Sequence, residues 1–311
     1  MKATHLKHLL IFLTGLVFLA TGLCAQQTYL YWTDRTDGFV QRSDLDGSNV
    51  TTIVSGISTP EAMTYDSVNN KIYWLERGTG TIFRADIDGS NSETVISGLG
   101  NGLRNLAVDP TNSQIYWAID SDGPTQVIRR ANYDGTGTTT ILSGLTDPQS
   151  IALDVPNNFL YYSDEGSDRI ARSTLGGVGL TTIYSTNTND PERVVLNAAG
   201  TFAYWLDGNA GGGTNSVYSG DLSDFSQTTL VTSLASPSDI AVTDSTIYIS
   251  NFNGQIVSAP ITGGTTTTLV SGLGQLRSVT VVPEPSTYAL IFSAGAFMAA
   301  IYLRHRRKAA K

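Results

Sequence analysis

The side chains best suited to binding or chemistry in this sequence share one position of a repeated pattern, directly before or at the start of a short apolar segment. They carry charges of both signs. The set consists of Glu61, Arg104, Asn105, Gln149, Glu192, Arg193, Ser238, Asp239 and Arg277. If the fold brings them to one concavity, such a set predicts a site for a polar ligand or a protein loop.

The central part of the chain lacks the two residue types on which most nucleophilic and zinc chemistry depends. The only cysteine is Cys24, and the histidines His5, His8 and His305 lie near the ends. This excludes Ser-His-Asp and Cys-His nucleophiles, histidine-ligated zinc and disulfides from the central domain. We therefore predict no catalytic residue, no cofactor and no resident metal, and a domain held together by core burial and sheet hydrogen bonds.

The charge of the 311-residue chain is unevenly distributed. All 27 acidic residues, but only 12 of the 19 basic ones, lie within residues 26–286. A domain this acidic repels phosphate backbones, so we expect no nucleic acid among its partners.

Two acidic segments resemble calcium loops only superficially. They run from Asp44 to Asn49 and from Asp86 to Asn91, each with the order Asp-x-Asp-Gly-Ser-Asn. The EF-hand loop needs glycine at its sixth place and a terminal glutamate, whereas glycine is fourth here. Asp-Gly between alternating residues instead predicts a tight β-hairpin turn.

A tyrosine-centred motif recurs along the chain with steps of 42, 43, 45, 43 and 44 residues. Strand-rich units of about 40–45 residues are typical of propeller blades. Each repeat also contains an apolar strand before the motif and a hairpin after it, which gives four antiparallel strands per unit. The first tyrosines are Tyr31, Tyr73, Tyr116, Tyr161, Tyr204 and Tyr248.

The first repeat lacks its leading strand, and a matching segment stands near the C-terminus. Residues 276–282 are similar to residues 103–109, so we expect them to complete the first blade. The prediction is an all-β, six-bladed propeller over residues 26–282, closed without a free sheet edge.

The aromatic and acidic residues of the motif are interpreted as structural. Along a strand, alternate residues face opposite sides, so wide rings fill the gaps between blades and an acid accepts backbone hydrogen bonds. This structural set comprises Tyr31, Trp32, Asp34, Tyr73, Trp74, Tyr116, Trp117, Tyr161, Asp164, Tyr204, Trp205 and Asp207.

The repeats resemble the YWTD β-propeller of low-density-lipoprotein receptors over roughly residues 27–283. In a propeller the polar set would ring one mouth of the central channel. Three interpretations stay open there: a binding site, a self-satisfied network of salt bridges and water, and a divalent-metal site like that of lactonase or lyase propellers. Glu61, Asn105, Glu192 and Asp239 would form the metal site, but Arg104, Arg193 and Arg277 oppose it.

Both ends of the chain predict export. Residues 1–25 combine a basic start with an apolar run and are interpreted as a signal peptide, with lipidation at Cys24 as the alternative. Residues 283–311 comprise a Pro-Glu-Pro-Ser segment, an apolar stretch at 287–303 and a basic tail at 304–311. The segment is formed by Pro283, Glu284, Pro285 and Ser286.

This C-terminal order resembles the PEP-CTERM sorting signal of Gram-negative bacteria. The resemblance implies an exosortase-type transpeptidase as a processing partner, a transmembrane helix as an anchor before processing, and delivery to the cell surface or extracellular matrix. We expect a non-enzymatic module that binds an extracellular protein or polysaccharide. A purely structural matrix protein ranks second, and a metal-dependent enzyme third.

Overall fold

The chain folds into short antiparallel strands, as the alternating pattern predicts. The computed structural model describes residues 27–120, 126–185, 190–208 and 215–283. Residues 1–25, with the predicted signal peptide, and the sorting segment from Glu284 onwards lie outside the described residues. Among the residues described, no helix is long and apolar enough to cross a bilayer.

The described strands form six four-stranded antiparallel sheets, which are the blades of a propeller. Blade 1 consists of β1 (Thr28–Asp34), β2 (Phe39–Asp44), β3 (Thr51–Ser55) and β24 (Leu276–Pro283). Strand β24 lies beside β1 at the inner edge. The C-terminal strand therefore completes the first blade, which confirms the predicted closure of the ring.

The other five blades follow one another along the chain. Blade 2 consists of β4 (Pro60–Asp66), β5 (Lys71–Glu76), β6 (Thr81–Asp86) and β7 (Glu93–Ile96). Blade 3 consists of β8 (Leu103–Asp109), β9 (Gln114–Ile119), β10 (Val127–Asn132) and β11 (Thr139–Ser143). Blade 4 consists of β12 (Pro148–Asp154), β13 (Phe159–Asp164), β14 (Arg169–Thr174) and β15 (Thr181–Ser185), with a 3-10 turn at Glu165–Ser167. Blade 5 consists of β16 (Asp190–Leu196), β17 (Phe202–Gly208), β18 (Asn215–Asp221) and β19 (Gln227–Leu234). Blade 6 consists of β20 (Pro237–Val242), β21 (Thr246–Asn251), β22 (Ile256–Pro260) and β23 (Thr267–Val270).

An apolar cluster fills the space between each pair of neighbouring blades. Tyr31 packs with Trp74 of blade 2, whereas the next residue, Trp32, packs with Tyr248 of blade 6. The same division recurs at the other interfaces. Because side chains alternate along the second strand, the first aromatic ring packs against the following blade and the second against the preceding blade, as predicted. The rings are almost fully buried, and each contributes a few kcal/mol to stability.

The motif acids hold the segments that link one blade to the next. Asp34 is fully buried and accepts hydrogen bonds from the amides of Thr36, Asp37 and Gly274, at 3.1, 3.1 and 2.7 Å. Gly274 lies between the last strand of blade 6 and the closing strand of blade 1. The carboxylate therefore helps to close the ring, in agreement with the structural interpretation of this residue.

The Asp-Gly segments form hairpin turns that dock onto the preceding blade. In blade 2, the amide of Gly89 donates to the carbonyl of Asp86 at 2.8 Å, and φ of Gly89 is +83°. A Cβ atom at Gly89 would lie only 2.1 Å from the carbonyl oxygen of Ile53 in blade 1. Glycine is thus needed both for the turn and for the close contact between blades.

Candidate functional site at the channel mouth

A β-bulge positions the predicted site residues. In blade 2, Pro60 pairs with Glu76 and Ala62 pairs with Leu75, so Glu61 is the extra residue. The inner strands of blades 3 to 6 show the same shift at the equivalent place. A bulge bends the strand and re-aims the side chain of its extra residue. The bulge residues are Glu61, Arg104, Gln149, Glu192 and Ser238, and Arg277 stands at the matching place of β24.

This placement corrects the predicted start of each inner strand. The sequence pattern starts each inner strand after the polar residue, whereas β4 begins at Pro60 and β8 at Leu103. The alternation of apolar residues begins only beyond the bulge, which is why the pattern hides the first residues of the strand. The bulge residues nevertheless lie together at one end of the channel, because each is the second or, in blade 5, the third residue of an inner strand and all inner strands start at that end.

Outside blade 2, where it is Ala62, the residue after the bulge position hydrogen-bonds to a neighbouring inner strand. Asp239 of blade 6 accepts a hydrogen bond from the amide of Val279 in blade 1 at 3.1 Å, and Asn105 of blade 3 accepts one from Ile151 of blade 4 at 3.3 Å. Ser150 and Ser278 make similar bonds to the next blade. These positions form a ring of hydrogen bonds between neighbouring inner strands beneath the mouth, which we call the ring of clasps.

Arg193 extends this ring of clasps in both directions. Its Nη1 donates to the carbonyl of Gln149 in blade 4 at 3.0 Å, and its Nε donates to the carbonyl of Ser238 in blade 6 at 3.1 Å. The buried guanidinium also lies 3.7 Å from Asp239. Three predicted site residues, Asn105, Arg193 and Asp239, therefore hold blades together at the floor of the mouth.

A second ring at the mouth was missed by the sequence interpretation. It consists of the residue four places after the first tyrosine of each motif, where the second strand ends. In five blades its amide donates to the segment that enters the inner strand of the same blade, as Arg35 does to Gln275 at 2.8 Å. The ring consists of Arg35, Arg77, Asp120, Glu165, Gly208 and Phe252. Its fixed spacing was the signal that would have found it.

Positive charge is concentrated on the blade 1 side of the mouth. Arg35 and Arg277 flank the buried carboxylate of Glu61 at 3.4 and 3.5 Å, which leaves this trio with one net positive charge. The Arg277 guanidinium also lies 4.7 Å from the centre of the Phe252 ring. Burial lowers the pKa of Arg277 to about 10, and Arg35 is among the cations that oppose its charge.

Negative charge is concentrated on the opposite side, at blades 4 and 5. One amide nitrogen of Gln149 donates to both Asp147 and Glu165, each at 2.7 Å. The two carboxylates are therefore held close together, and in the described part of the chain neither of them forms an ion pair with a basic side chain. Burial, with repulsion from Asp120 and Glu165, raises the pKa of Asp147 to about 7. Burial also raises the pKa of Glu165, with Glu192 as the next cause.

Blade 3 lies between the two halves, and the charges of its described mouth residues, Arg104 and Asp120, balance. The guanidinium of Arg104 pairs with Asp120, with Nε at 3.1 Å from Oδ2. Gln126 donates to the other oxygen of Asp120 at 3.2 Å. Counted over the described residues, the mouth is thus bipolar: basic at blade 1, neutral at blade 3 and acidic at blades 4 and 5. In a ring of six blades, blades 1 and 4 face each other.

The residues of the predicted metal alternative do not converge as ligands. Among the described residues, no group of three or more acidic, histidine or cysteine side chains is arranged to hold a metal ion. Asn105 and Asp239 accept backbone hydrogen bonds, and Glu61 lies between two guanidiniums. This donor set fits a structural clasp and an ion-pair network better than it fits a divalent cation.

Beneath the mouth, the inner strands enclose a channel with a cavity of about 420 Å³. Asn105, Ser150 and Asp239 stand among its lining residues, and apolar or small residues such as Ala107 and Ala241 line the rest. The charged rings thus lie at one end of the channel only. A ligand with polar and charged groups would engage that end.

Comparison with known proteins supports this fold. The family model for the low-density lipoprotein receptor repeat class B matches residues 70–110, which run from the second strand of blade 2 to the inner strand of blade 3. The YWTD resemblance is therefore shown for one repeat. The comparison with curated proteins gave no match.

Solved structures resemble the propeller over most of its length. A chain of a nidogen/laminin complex has a TM-score of 0.70 at 18% identity, covering 82% of this chain and 98% of that chain. TolB from Acinetobacter baumannii has a TM-score of 0.67 at 16% identity, covering 86% and 70%. A putative TolB from Agrobacterium tumefaciens has a TM-score of 0.60 at 10% identity, covering 84% and 99%. At these identities the likeness concerns the fold.

Proposed function

We propose that this propeller is a protein-binding module whose bipolar channel mouth receives a segment of another protein that carries both a basic and an acidic group. The observation that carries the proposal is the division of charge between Arg35 and Arg277 on one side and Asp147, Glu165 and Glu192 on the other. A segment with matching charges would relieve the like-charge repulsion on both sides at once.

The repeat architecture supports this proposal. Equivalent positions of the six blades carry arginine, aspartate, glutamate, glycine and phenylalanine in the second ring, so the fold itself does not require any one of these side chains. Residues that the fold does require, such as the motif tyrosines, recur from blade to blade. One structural neighbour is a chain from a complex of two proteins, nidogen and laminin, which agrees with a role in protein binding.

We propose further that the module acts outside the cytoplasm. Its N-terminal segment would direct export, and its C-terminal segment would be recognised by an exosortase-type enzyme that delivers the domain to the cell surface or extracellular matrix. The polysaccharide ligand, the metal-dependent enzyme and the purely structural role remain the alternatives. No observation at the mouth favours any of them over a protein segment.

Selection from a random peptide library tests the proposal. Phage-displayed peptides of about twelve residues would be selected on the purified protein and counter-selected on Arg35→Gln/Arg277→Gln and on Glu165→Gln/Glu192→Gln. We expect enriched peptides to carry basic and acidic positions together, since each sign has its own half of the mouth. Their affinity should fall steeply with added salt, because the rim is partly exposed.

Matched variants on other surfaces serve as controls. Arg129→Gln removes a positive charge away from the mouth, and Asp46→Asn/Asp88→Asn removes two negative charges from exposed hairpin turns. Both should keep the affinity of the wild type. Enrichment of uncharged apolar peptides, or equal loss of binding in the control variants, would overturn the proposal.

A further inference from the structure

The interface between blades 4 and 5 departs from the other five. At those five, a hairpin glycine packs so closely on the preceding blade that a Cβ atom would lie 2.0–2.5 Å from a carbonyl oxygen; the glycines are Gly47, Gly89, Gly135, Gly177 and Gly263. The blade 5 hairpin has the sequence Asp-Leu-Ser-Asp-Phe-Ser and no glycine at that place. Instead, Tyr184 of blade 4 reaches over and donates to the carbonyl of Asp221 at 2.8 Å.

A cavity lies at this irregular interface. It has a volume of about 350 Å³, within the range of small-molecule sites. Its walls come from the end of the inner strand and the second and third strands of blade 4, and from two turns of blade 5. The residues that matter chemically are Asp154, Phe159, Tyr161, Arg172 and Asp221. The cavity is separate from the channel mouth, so its test does not depend on the outcome there.

Two hydrogen-bond donors in this cavity are unengaged. Arg172 and Tyr161 are cross-strand partners, and within the described residues no hydrogen bond or ion pair engages the Arg172 guanidinium or the Tyr161 hydroxyl. The guanidinium lies 4.5 Å from the centre of the Phe159 ring and 5.6 Å from that of Phe225, and contacts of this kind use the face of the guanidinium rather than its N–H groups. Its N–H groups therefore remain available to a ligand.

The equivalent arginines of other blades have partners. Arg42 donates to the Tyr31 hydroxyl at 3.2 Å, and Arg130 donates to the Tyr116 hydroxyl at 3.4 Å. Arg84 pairs with Glu93 at 2.7 Å. The unengaged state of Arg172 is thus a local feature of blade 4 and not a property of the repeat.

The cavity also carries two acceptors, Asp154 from blade 4 and Asp221 from blade 5. Asp154 accepts two hydrogen bonds from Asn157, at 3.2 and 2.9 Å, and Asp221 accepts two from Ser223, at 2.8 and 2.6 Å. A carboxylate accepts about four hydrogen bonds, so each retains capacity for a ligand donor. Two carboxylates against one guanidinium leave a local charge of −1, which repels phosphate, sulfate and uronate groups.

We propose that this cavity is a binding site for a neutral hexose unit of a glycan. Each sugar hydroxyl both donates and accepts, so one ring can bond to the donors Arg172 and Tyr161 and to the acceptors Asp154 and Asp221. The aromatic walls supply apolar contact for its C–H groups. A neutral polyol can donate to the aspartates and accept from Arg172 and Tyr161, whereas an anion would be repelled by the net charge of −1.

Saturation-transfer NMR on the purified protein tests this site. The probes are glucose, galactose and mannose as neutral hexoses, with glucuronate and inorganic phosphate as charged comparisons. We expect saturation transfer to at least one neutral hexose and none to glucuronate. Transfer to no hexose, or equal binding of glucuronate or phosphate, would overturn the proposal.

Variants locate the binding. Arg172→Met keeps an apolar stem against Phe159 and should weaken hexose affinity roughly tenfold or more, because a charged hydrogen-bond donor is lost. Tyr161→Phe removes only the hydroxyl and should weaken affinity several-fold, which keeps the test decisive if Arg172→Met is unstable. Arg130→Met, the same change in blade 3, should bind hexose as the wild type does. Wild-type affinity in both blade 4 variants would contradict the assignment.

Discussion

Two regions of the molecule, the channel mouth and the interfaces between neighbouring blades, are built from the same repeats but differ in how far their side chains repeat. At the interfaces, equivalent positions carry equivalent side chains, as Tyr31, Tyr73 and Tyr116 show. At the mouth, equivalent positions differ in size and charge, as Arg35, Asp120 and Phe252 do in the second ring. The backbone of the mouth nevertheless repeats from blade to blade, as the bulges of blades 2 to 6 show.

This difference separates the residues that form the fold from those available for recognition. A side chain that recurs at every interface satisfies a demand that each blade makes, such as filling a gap or accepting a backbone amide. The fold does not require a particular side chain at a position that varies from blade to blade. The divided charge of the mouth is therefore a property of this particular chain, and we expect the two regions to respond differently to substitution.

The largest effect is expected at the closure of the ring. Asp34→Ala removes the acceptor of three backbone amides in a fully buried place and should lower the free energy of unfolding by about 3–5 kcal/mol. Chemical denaturation measures this change. Asp37→Ala, at an exposed residue nearby, should cost less than about 0.5 kcal/mol. Equal costs for the two variants would show that Asp34 does not close the ring.

A smaller loss is expected where a hairpin docks on the preceding blade. Gly89→Ala strains a positive φ and forces a Cβ atom to within 2.1 Å of the Ile53 carbonyl. Gly98→Ala strains a similar φ of +73°, but nothing lies within 4 Å of its Cβ. The first should cost about 2–3 kcal/mol and the second about 1 kcal/mol, by thermal or chemical denaturation. The difference between the two losses measures the contact between blades. Equal losses would show that this contact does not contribute to stability.

At the mouth, the acidic half should make stability depend on pH. The pKa of Asp147 is raised from its usual 3.8 to about 7, first by burial and then by Asp120 and Glu165. The folded state thus favours the neutral acid, and this contribution to stability is full below about pH 4 and is lost as pH rises through 7.

Asp147→Asn should therefore raise the melting temperature at pH 8, by roughly 2 °C because the group is partly exposed to solvent. At pH 4 the variant and the wild type should melt alike. The amide keeps an oxygen for the bond from Gln149, so loss of that bond does not complicate the comparison. A variant less stable than the wild type at pH 8 would contradict the like-charge account.

The smallest effect is expected on removing divalent metals. Two of the four residues of the metal alternative, Asn105 and Asp239, already accept backbone hydrogen bonds, and Glu61 lies between arginines. Dialysis against EDTA should then shift the melting temperature by less than about 1 °C, with calcium re-addition as the control. A large, calcium-reversible loss of stability would revive the metal site.

The sequence predicted the fold from features that every blade shares. The tyrosine steps gave the blade number, and the likeness of residues 276–282 to residues 103–109 gave the closing strand. The start of the inner strands was misplaced, because the bulge at Glu61 and its equivalents interrupts the alternation that marks a strand. Local pattern does not show a bulge; only the pairing of β4 with β5 does.

The mouth was predicted in part. The bulge ring and the three clasps Asn105, Arg193 and Asp239 were named together, although their roles differ in the structure. The second ring was missed, because Arg35 and Asp120 share no chemistry that a repeat search would align. Their shared spacing from the tyrosine was visible, but its meaning depends on knowing that the second strand ends at the same face as the bulge.

The most direct test of the divided mouth is the affinity of one enriched peptide for two variants of equal and opposite charge change. Titration calorimetry would compare the wild type with Arg277→Gln and with Glu165→Gln, at low and high salt. The bipolar mouth predicts that both variants bind more weakly, each by roughly tenfold at low salt, because the ligand engages both halves. If one variant bound more weakly and the other more tightly, the mouth would be responding to net charge alone, and the account would be wrong.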